Sequence, residues 1–502
     1  MQYNESEVYI FNPDYVMRND SHRIVLFSRA KPTKLNVPDW ESLLHPIHAK
    51  IFSFFTYNRP LQATIVKLGE YFNKDDTVME KIIFPFIENP LPVFTKYKEE
   101  KVRIPKNVLV NRNQISGDIA YLNLNPDVFD CQTIDLSTQR TFTGPQLLTF
   151  MLNNTCIADC IYCYADKKTL INNNLPTPRI LELIEEANTL PVSKINLMGG
   201  EIFLHPDWQL ILKKLVDLNL SPEYISTKYP LSDEIIQFIK MTGYTNPVQI
   251  SLDAYSSGLL TKTLSVENNY LLNIIQGIKR LDDSGLKYRI STVLTIHNSK
   301  NYVIKELFDF ISDLKNISDW RITPAIISNW IEYDKFRKFK PDKKEIESLF
   351  KFIEREIKPY SKIPILLNRP AIERKFHYCT TGSADFKGVK CSALNNQLFI
   401  LPDGKATVCE QLYWLPQFII GDVSVNKISE VWNSPQVQKL LNLQREDIQN
   451  DSICKICKLF DPCYKAGNRC WVDIVKAYGN ENWDYPDPRC AFAPQMIYDL
   501  RF

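Results

Sequence analysis

Three cysteines stand within eight residues, Cys156-Ile-Ala-Asp-Cys160-Ile-Tyr-Cys163, and eight more fall between Cys379 and Cys490. Thiolates this close can each hold one iron of a [4Fe–4S] cube, which takes about four ligands, so three leave one iron open to an exchangeable ligand. The same spacing also fits a three-cysteine zinc site. In the later group, Cys454-Lys-Ile-Cys457 with Cys463 reads as cluster ligands or as a zinc ribbon-like site. Cys131 has no partner pattern and reads as a small buried hydrophobe. Twelve cysteines in a reducing compartment point to metal, since thiols there are not held as disulfides.

That compartment follows from the rest of the composition. Sixty Lys plus Arg against 58 Asp plus Glu give a net charge of +2. Such a balance offers no footprint for nucleic acid or an anionic membrane. No apolar run is long enough to cross a bilayer, and the start, MQYNESEVYI, lacks the basic and apolar stretches of a signal peptide. A cytoplasmic protein without nucleic-acid or membrane partners is expected.

The elements that must position these thiols fall into segments, roughly three domains for 502 residues. Residues 1–97 begin with two β-like runs, Glu7–Met17 and His22–Arg29, the first broken by Pro13 as an edge strand would be. Three helical patterns follow, carrying Ile47, Ile51, Phe54 and Phe55, then Ile65, Leu68, Tyr71 and Phe72, then Val78, Ile82 and Ile83. Each set is expected on one helix face. Strands followed by short helices form a winged-helix-like arrangement. Residues 98–145 read as a connecting region without sustained period. From 146 to 360, strand-like runs at Leu147–Leu152, Lys194–Met198, Glu223–Thr227, Val248–Leu252, Tyr288–Ile296 and Trp320–Thr323 alternate with amphipathic helices. That alternation predicts an α/β fold, a partial (βα)6 barrel with its chemistry at the C-terminal strand ends. The cysteine-rich remainder, residues 361–502, reads as a loop-rich domain stapled by metal.

With its cysteines directly after the first barrel strand and Tyr162 before the last of them, the C-x3-C-x2-C motif resembles the signature of the radical S-adenosylmethionine (SAM) superfamily. The resemblance implies that Cys156, Cys160 and Cys163 hold a [4Fe–4S] cluster whose open iron binds SAM. One electron then breaks a sulfonium C–S bond, and the 5′-deoxyadenosyl radical removes a substrate hydrogen. Met198-Gly199-Gly200-Glu201, after the second strand, resembles the family's GGE loop for the SAM amino group; glycine lets backbone approach a ligand closely, and Glu201 accepts from an ammonium. Ser226-Thr227 ends the third strand. Ile250-Ser251-Leu252-Asp253 resembles the segment that meets the ribose or methionine end. A turn after a strand explains Gly-Gly-Glu equally well, and ordinary strand-end turn chemistry is the alternative for Ser251 and Asp253. The basic residue that often follows is absent at its usual distance, and Lys262 is the candidate substitute.

Cys391, Gly404-x4-Cys409, Cys454-x2-Cys457-x5-Cys463, Cys470 and Cys490 resemble the SPASM extension of that superfamily. The pattern departs where six residues, rather than three, separate Cys463 from Cys470. The resemblance implies two auxiliary [4Fe–4S] clusters, making three in all. One uses Cys391, Cys409 and Cys470 with Cys379 as candidate fourth ligand; the other uses Cys454, Cys457, Cys463 and Cys490. Glu410 stands where relatives place an acid that accepts a substrate proton, and a solvated surface glutamate is the alternative.

The N-terminal segment resembles the precursor-peptide recognition element of peptide maturases, in which a leader peptide adds a strand beside the sheet and packs against a helix. A DNA-binding helix-turn-helix would want a basic stripe, but Asp75, Asp76, Glu80 and Glu88 flank the third helix. The resemblance therefore implies an oxidoreductase that matures a ribosomally made precursor peptide, with a thioether crosslink expected first. An external one-electron donor of flavodoxin or ferredoxin type is implied with it. Carbon–carbon crosslinking and sulfatase-type Cys/Ser oxidation are the enzyme alternatives, and a zinc-rich adaptor or DNA-binding protein is the non-enzyme one.

Overall fold

The structure, a computed structural model, describes residues 4–29, 41–166, 169, 171, 173–369, 391, 393–465 and 469–500; Cys379 lies outside them. The chain divides into two compact units. One is Met1–Leu147 with Leu183–Lys194 and Leu218–Leu220; the other is Leu148–Glu182, Ile195–Asp217 and Ser221–Phe502.

In the first unit β1 (Tyr9–Phe11), β2 (Tyr15–Asn19), β3 (Ile24–Ser28) and β4 (Glu41–Leu44) precede α1 (Pro46–Ser53), α2 (Leu61–Phe72) and α3 (Asp76–Ile83). Then come β5 (Val93–Tyr97), β6 (Glu100–Ile104) and β7 (Leu109–Asn111). Pro13 splits the first expected run, because a residue without an N–H cannot continue a ladder. β1 pairs antiparallel with β7, while β2 becomes an edge of the antiparallel sheet β2-β3-β4. α1 starts where Pro46 has no N–H to leave unpaired and His45 Nδ1 accepts from Ile47 N at 3.2 Å. α2 stops at Asn73, which takes the left-handed conformation (φ 50°).

Two expectations are corrected here. Val78 and Ile82 are not core residues: they are 40% and 41% exposed, while Met79 and Ile83 on the neighbouring face are 2% and 0% exposed. Ile47 and Tyr71 likewise face solvent. Residues 98–145 are more than a connection. The β5–β6 hairpin crosses position 97/98, and Val102, Ile104, Val108 and Leu109 join the core with Phe52, Leu68 and Ile83. The stretch up to Thr143 is held by a buried ion pair. Asp20 lies 3.1 Å from Arg23, and neither side chain is exposed. Asp20 Oδ1 accepts from the amides of Phe142 and Thr143 at 2.8 Å, and Arg23 donates to Arg140 O at 2.6 Å. Removing either partner would strand a buried charge, at a cost of roughly 3–5 kcal/mol.

The second unit carries the expected alternation. In chain order come β8 (Leu147–Met151), α4 (Thr177–Thr189, which from Leu183 on belongs to the first unit), β9 (Lys194–Met198), α5 (Trp208–Asp217), β10 (Ile225–Thr227), α6 (Asp233–Met241) and β11 (Val248–Ser251). α7 (Ser257–Leu264), α8 (Tyr270–Asp283), β12 (Tyr288–Leu294), α9 (Asn301–Ser312) and β13 (Ile317–Pro324) follow. β10 to β13 are successive parallel neighbours, and a further parallel strand, β14 (Ile365–Leu367), extends them. β8 and β9 neighbour each other in a separate sheet, so the ladder is interrupted between β9 and β10 among the described residues. Ile195, Ile290 and Trp320 are fully buried, and along β9 and β11 buried positions alternate with half-buried ones.

The late region completes the second sheet. β15 (Gln397–Ile400), β16 (Lys405–Thr407) and β17 (Ile419–Asp422) form an antiparallel meander in the order β17-β16-β15-β8-β9. The β15–β16 turn needs Gly404, whose φ is +85° and whose missing Cβ would lie 3.1 Å from Ser424 Cβ. This gives the Gly404-x4-Cys409 spacing a physical reason: turn, three-residue strand, the buried Val408, then cysteine. No helix among the described residues is long and apolar enough to cross a membrane.

Candidate functional site

Cys156, Cys160 and Cys163 lie in the loop after β8. Its backbone is fixed from several sides: Asp159 N donates to Leu264 O at 2.8 Å and Ile161 N to Thr263 O at 3.0 Å, both at the end of α7. Cys163 N donates to Cys160 O at 3.1 Å, and Ser328 Oγ donates to Cys163 O at 3.3 Å. The Gly199-Gly200 pair presses on the loop's entry. A Cβ on Gly200 would sit 2.1 Å from Thr155 O and one on Gly199 2.8 Å from Asn153 O. These glycines therefore admit the chain's own backbone: Gly200 N donates to Asn153 O and Glu201 N to Thr155 O, each at 2.8 Å.

The polar residues at the strand ends are tied to one another. Glu201 is buried; its carboxylate accepts from Thr227 Oγ1 at 2.7 Å and from Lys228 N at 3.0 Å. Burial raises its pKa, and the Lys228 amide and the Thr227 hydroxyl oppose that shift. Asp253, also buried, accepts from Tyr162 Oη and from Val293 N at 2.8 Å. Ser251 sits opposite Ser291 in the parallel register.

One cation was missed by sequence reasoning. Lys228, directly after β10, interacts electrostatically with Asp253, Cys160, Cys156 and Cys163, and its ammonium lies 5.6 Å from the centroid of the Tyr162 ring. Burial lowers its pKa, yet those acids raise it on balance. The proposed substitute, Lys262, is exposed and stands near His297 instead. The sequence signal for Lys228 was its place at a strand end, shared with Glu201 and Asp253.

The late cysteines gather in two groups. Cys391 interacts electrostatically with both Cys409 and Cys470. Cys454, Cys457, Cys463 and Cys490 line one cavity together with Arg469, Phe460 and Phe492. Among the described residues, no three His, Cys, Asp or Glu side chains are drawn around a point fit for one metal ion; the four thiols stand around an opening. Backbone amides aim at the sulfurs: Ala393 N to Cys391 Sγ and Phe492 N to Cys490 Sγ at 3.4 Å, Gln411 N to Cys409 Sγ, and Asp473 N to Cys470 Sγ. Amide donors of this kind stabilise thiolates that carry a cluster. Burial pushes the Cys409 thiol up to about 12 and Cys463 up to about 11 in the metal-free chain. Coordination would reverse that, because a bound cation deprotonates its thiol ligand. Cys131 packs against the first unit's core, as a small hydrophobe does.

Glu410 is half-buried. Burial raises its pKa against the pull of Lys476. Tyr164 and Tyr413 each interact with Glu410 and with both Cys163 and Cys409. Tyr413 is fully buried, packs with Cys163 and Trp330, and its hydroxyl has no partner; the Trp330 Nε1–H is likewise unpaired. An acid and two phenols thus join the surroundings of the early and late thiols.

Residues 151–311 match the radical SAM superfamily, and residues 391–458 match the SPASM iron–sulfur cluster-binding domain. The antilisterial bacteriocin subtilosin biosynthesis protein AlbA of Bacillus subtilis (strain 168) is 23% identical over 316 residues, 62% of this chain and 65% of AlbA. A probable GTP 3′,8-cyclase of Methanothermobacter thermautotrophicus is 24% identical over 163 residues, 32% of this chain and 52% of the cyclase. The chain thus spans somewhat less than two thirds of the length of these relatives. Among solved structures, Streptococcus suis SuiB bound to S-adenosylmethionine superposes with a TM-score of 0.59 at 15% identity, covering 96% of this chain and 100% of SuiB. SuiB bound to its precursor peptide SuiA gives 0.58 at 14%, with the same coverage.

Proposed function

We propose that this chain, a radical SAM protein with a SPASM extension, is a maturase that crosslinks a ribosomally made precursor peptide, closing a thioether between a cysteine sulfur and a carbon. The radical SAM domain binds SAM and a [4Fe–4S] cluster, the SPASM domain binds auxiliary iron–sulfur clusters, and together they supply a hydrogen-abstracting radical and an electron sink. Joining S–H to C–H removes one hydrogen atom, one proton and one electron. The observation that carries the reading is the setting of Glu410, beside Tyr164, Tyr413, Cys163 and Cys409, where each of those three could leave.

In this reading Cys156, Cys160 and Cys163 hold the SAM-binding cluster. Glu201, Thr227, Ser251, Asp253 and Lys228 shape the pocket beside it, and Tyr162 anchors the loop. Glu410 accepts the thiol proton. Cys391, Cys409 and Cys470, with Cys379 as fourth ligand, hold one auxiliary cluster; Cys454, Cys457, Cys463 and Cys490 hold the other. A leader peptide docks on the N-terminal unit, where α3 turns Val78 and Ile82 outward as apolar contacts. A flavodoxin- or ferredoxin-type donor supplies electrons, and the free thiols suit a cytoplasmic setting. AlbA takes part in bacteriocin biosynthesis and SuiB binds a precursor peptide, which supports a peptide substrate.

The test is anaerobic reconstitution with a candidate precursor from a neighbouring reading frame. A product lighter by two hydrogens, with one thiol lost to alkylation, is the expected result. The same mass with every thiol still reactive would mean a carbon–carbon bond or a Ser side chain oxidised to an aldehyde, which labelling with a hydrazide tells apart. An unchanged peptide, with SAM merely cleaved, would refute crosslinking.

A further inference from the structure

The cavity lined by Cys454, Cys457, Cys463 and Cys490 also contains a cation. Arg469 Nη2 donates to Cys454 Sγ at 3.5 Å, its Nη1 is buried without a partner, and its guanidinium lies 5.1 Å from the Tyr464 ring centroid. Electrostatically it faces Cys454, Cys463 and Tyr464. Asp487, the acid on the cavity wall, is engaged elsewhere: Arg489 binds it, and Cys470 N donates to Oδ2 at 3.0 Å. Among the described residues no carboxylate pairs with Arg469. Arg469 also sits in the six-residue stretch between Cys463 and Cys470 that exceeds the SPASM spacing.

A half-buried guanidinium whose Nη1 is covered and unpaired, against thiols, is expensive unless something negative fills the opening. We propose that Arg469 is a potential-setting residue for the cluster held by Cys454, Cys457, Cys463 and Cys490. The cluster gains one electron on reduction and no proton, so with its four thiolates it becomes more negative by one charge. A fixed cation and an N–H donor stabilise the reduced form more than the oxidised form, and so raise the potential. Around the other auxiliary site Arg489 faces Cys391 and Cys470 and Lys476 faces Cys409, but Arg489 is paired with Asp473 and Asp487 and Lys476 donates to Gln411. The cation without a carboxylate partner stands at the Arg469 site, which makes that site the better electron acceptor.

The inference rests on cluster occupancy and not on the peptide substrate. The experiment uses the full chain with Cys156, Cys160 and Cys163 replaced by alanine, leaving the two auxiliary clusters, reduced stepwise with dithionite and followed by electron paramagnetic resonance. Iron content checks occupancy. Arg469→Gln should keep its iron and shift one of the two midpoints negative by about tenfold in the redox equilibrium, about 59 mV for one electron, leaving the other in place. Arg469→Lys, which keeps the charge, should recover most of the shift. Unchanged midpoints in an iron-replete Arg469→Gln chain would overturn the proposal, as would equal shifts in both variants or at both clusters. If Arg469→Gln loses iron, the Lys variant decides: its midpoint must stay near that of the parent chain, and a tenfold negative shift there would overturn the proposal. Should Cys454→Ala leave the iron content intact, the ligand assignment fails, and with it the inference.

Discussion

The early and late thiols are positioned by different means. Around Cys156–Cys163 the chain itself fixes the site: the loop bonds to the end of α7, its entry is packed under Gly199 and Gly200, and Tyr162 is moored to Asp253. Those partners come from several barrel strands distant in sequence. Around Cys454–Cys463 the backbone bonds are mostly local, Cys457 N to Cys454 O and Cys463 N to Leu459 O, within a short turn and the six-residue helix Phe460–Lys465. Exchangeable chemistry at an open iron needs a site held rigid by its surroundings. A saturated cluster can itself supply the crosslinks that fold its surroundings. The difference in construction suits the different jobs proposed for the two sites.

The strongest way to break that comparison is to remove the early thiols. Replacing Cys156, Cys160 and Cys163 by alanine should abolish deoxyadenosine formation and lower iron from about twelve to about eight per chain, with the fold intact by circular dichroism. Retained SAM cleavage would end the reading. Stripping iron anaerobically with a chelator should come next in effect. Hydrogen exchange should then lose protection across residues 454–490 while β9 to β13 keep theirs; equal loss in both would mean the barrel, too, depends on metal. Gly200→Ala should follow. Its Cβ would meet Thr155 O at 2.1 Å, so the entry to the cysteine loop must shift. We expect roughly 1–3 kcal/mol of destabilisation and at least a tenfold loss of SAM cleavage, with the auxiliary iron retained.

Much of this was legible in the sequence, for reasons that can be named. Cysteine spacing is local, and Lys194–Met198 appears with the boundaries its apolar run predicts, since a buried strand has few ways to end. Val78 and Ile82 misled because α3 has only eight residues, too short to tell its buried face from the next one. β6 hid its alternation, Val102 and Ile104 inward between charged neighbours, in five residues ahead of Pro105. Lys228, Tyr413 and Arg469 carry no motif; their relevance comes from what the fold sets opposite them. The extra loop length before Cys470 was visible from the start, yet only the cavity shows that Arg469, its last residue, stands among the four thiols.

The finest test sets one hydroxyl in each region against the other. Tyr162 Oη bonds the buried Asp253 carboxylate, whereas Tyr464 Oη bonds the backbone carbonyl of Leu440 at 3.0 Å. Tyr162→Phe leaves a carboxylate oxygen short of its donor, worth about 1.5–3 kcal/mol for a charged partner, and Tyr464→Phe removes a neutral bond worth about 0.5–1.5 kcal/mol. Local opening free energies from hydrogen exchange, read at residues 159–163 and 460–464, measure both. Tyr162→Phe should also slow SAM cleavage by about tenfold, as loss of an outer partner of a metal site does, while Tyr464→Phe leaves that rate unchanged. If Tyr464→Phe proved the costlier of the two, the late region would be as firmly built by its own chain as the early one, and the division of labour between protein and metal would have to be redrawn.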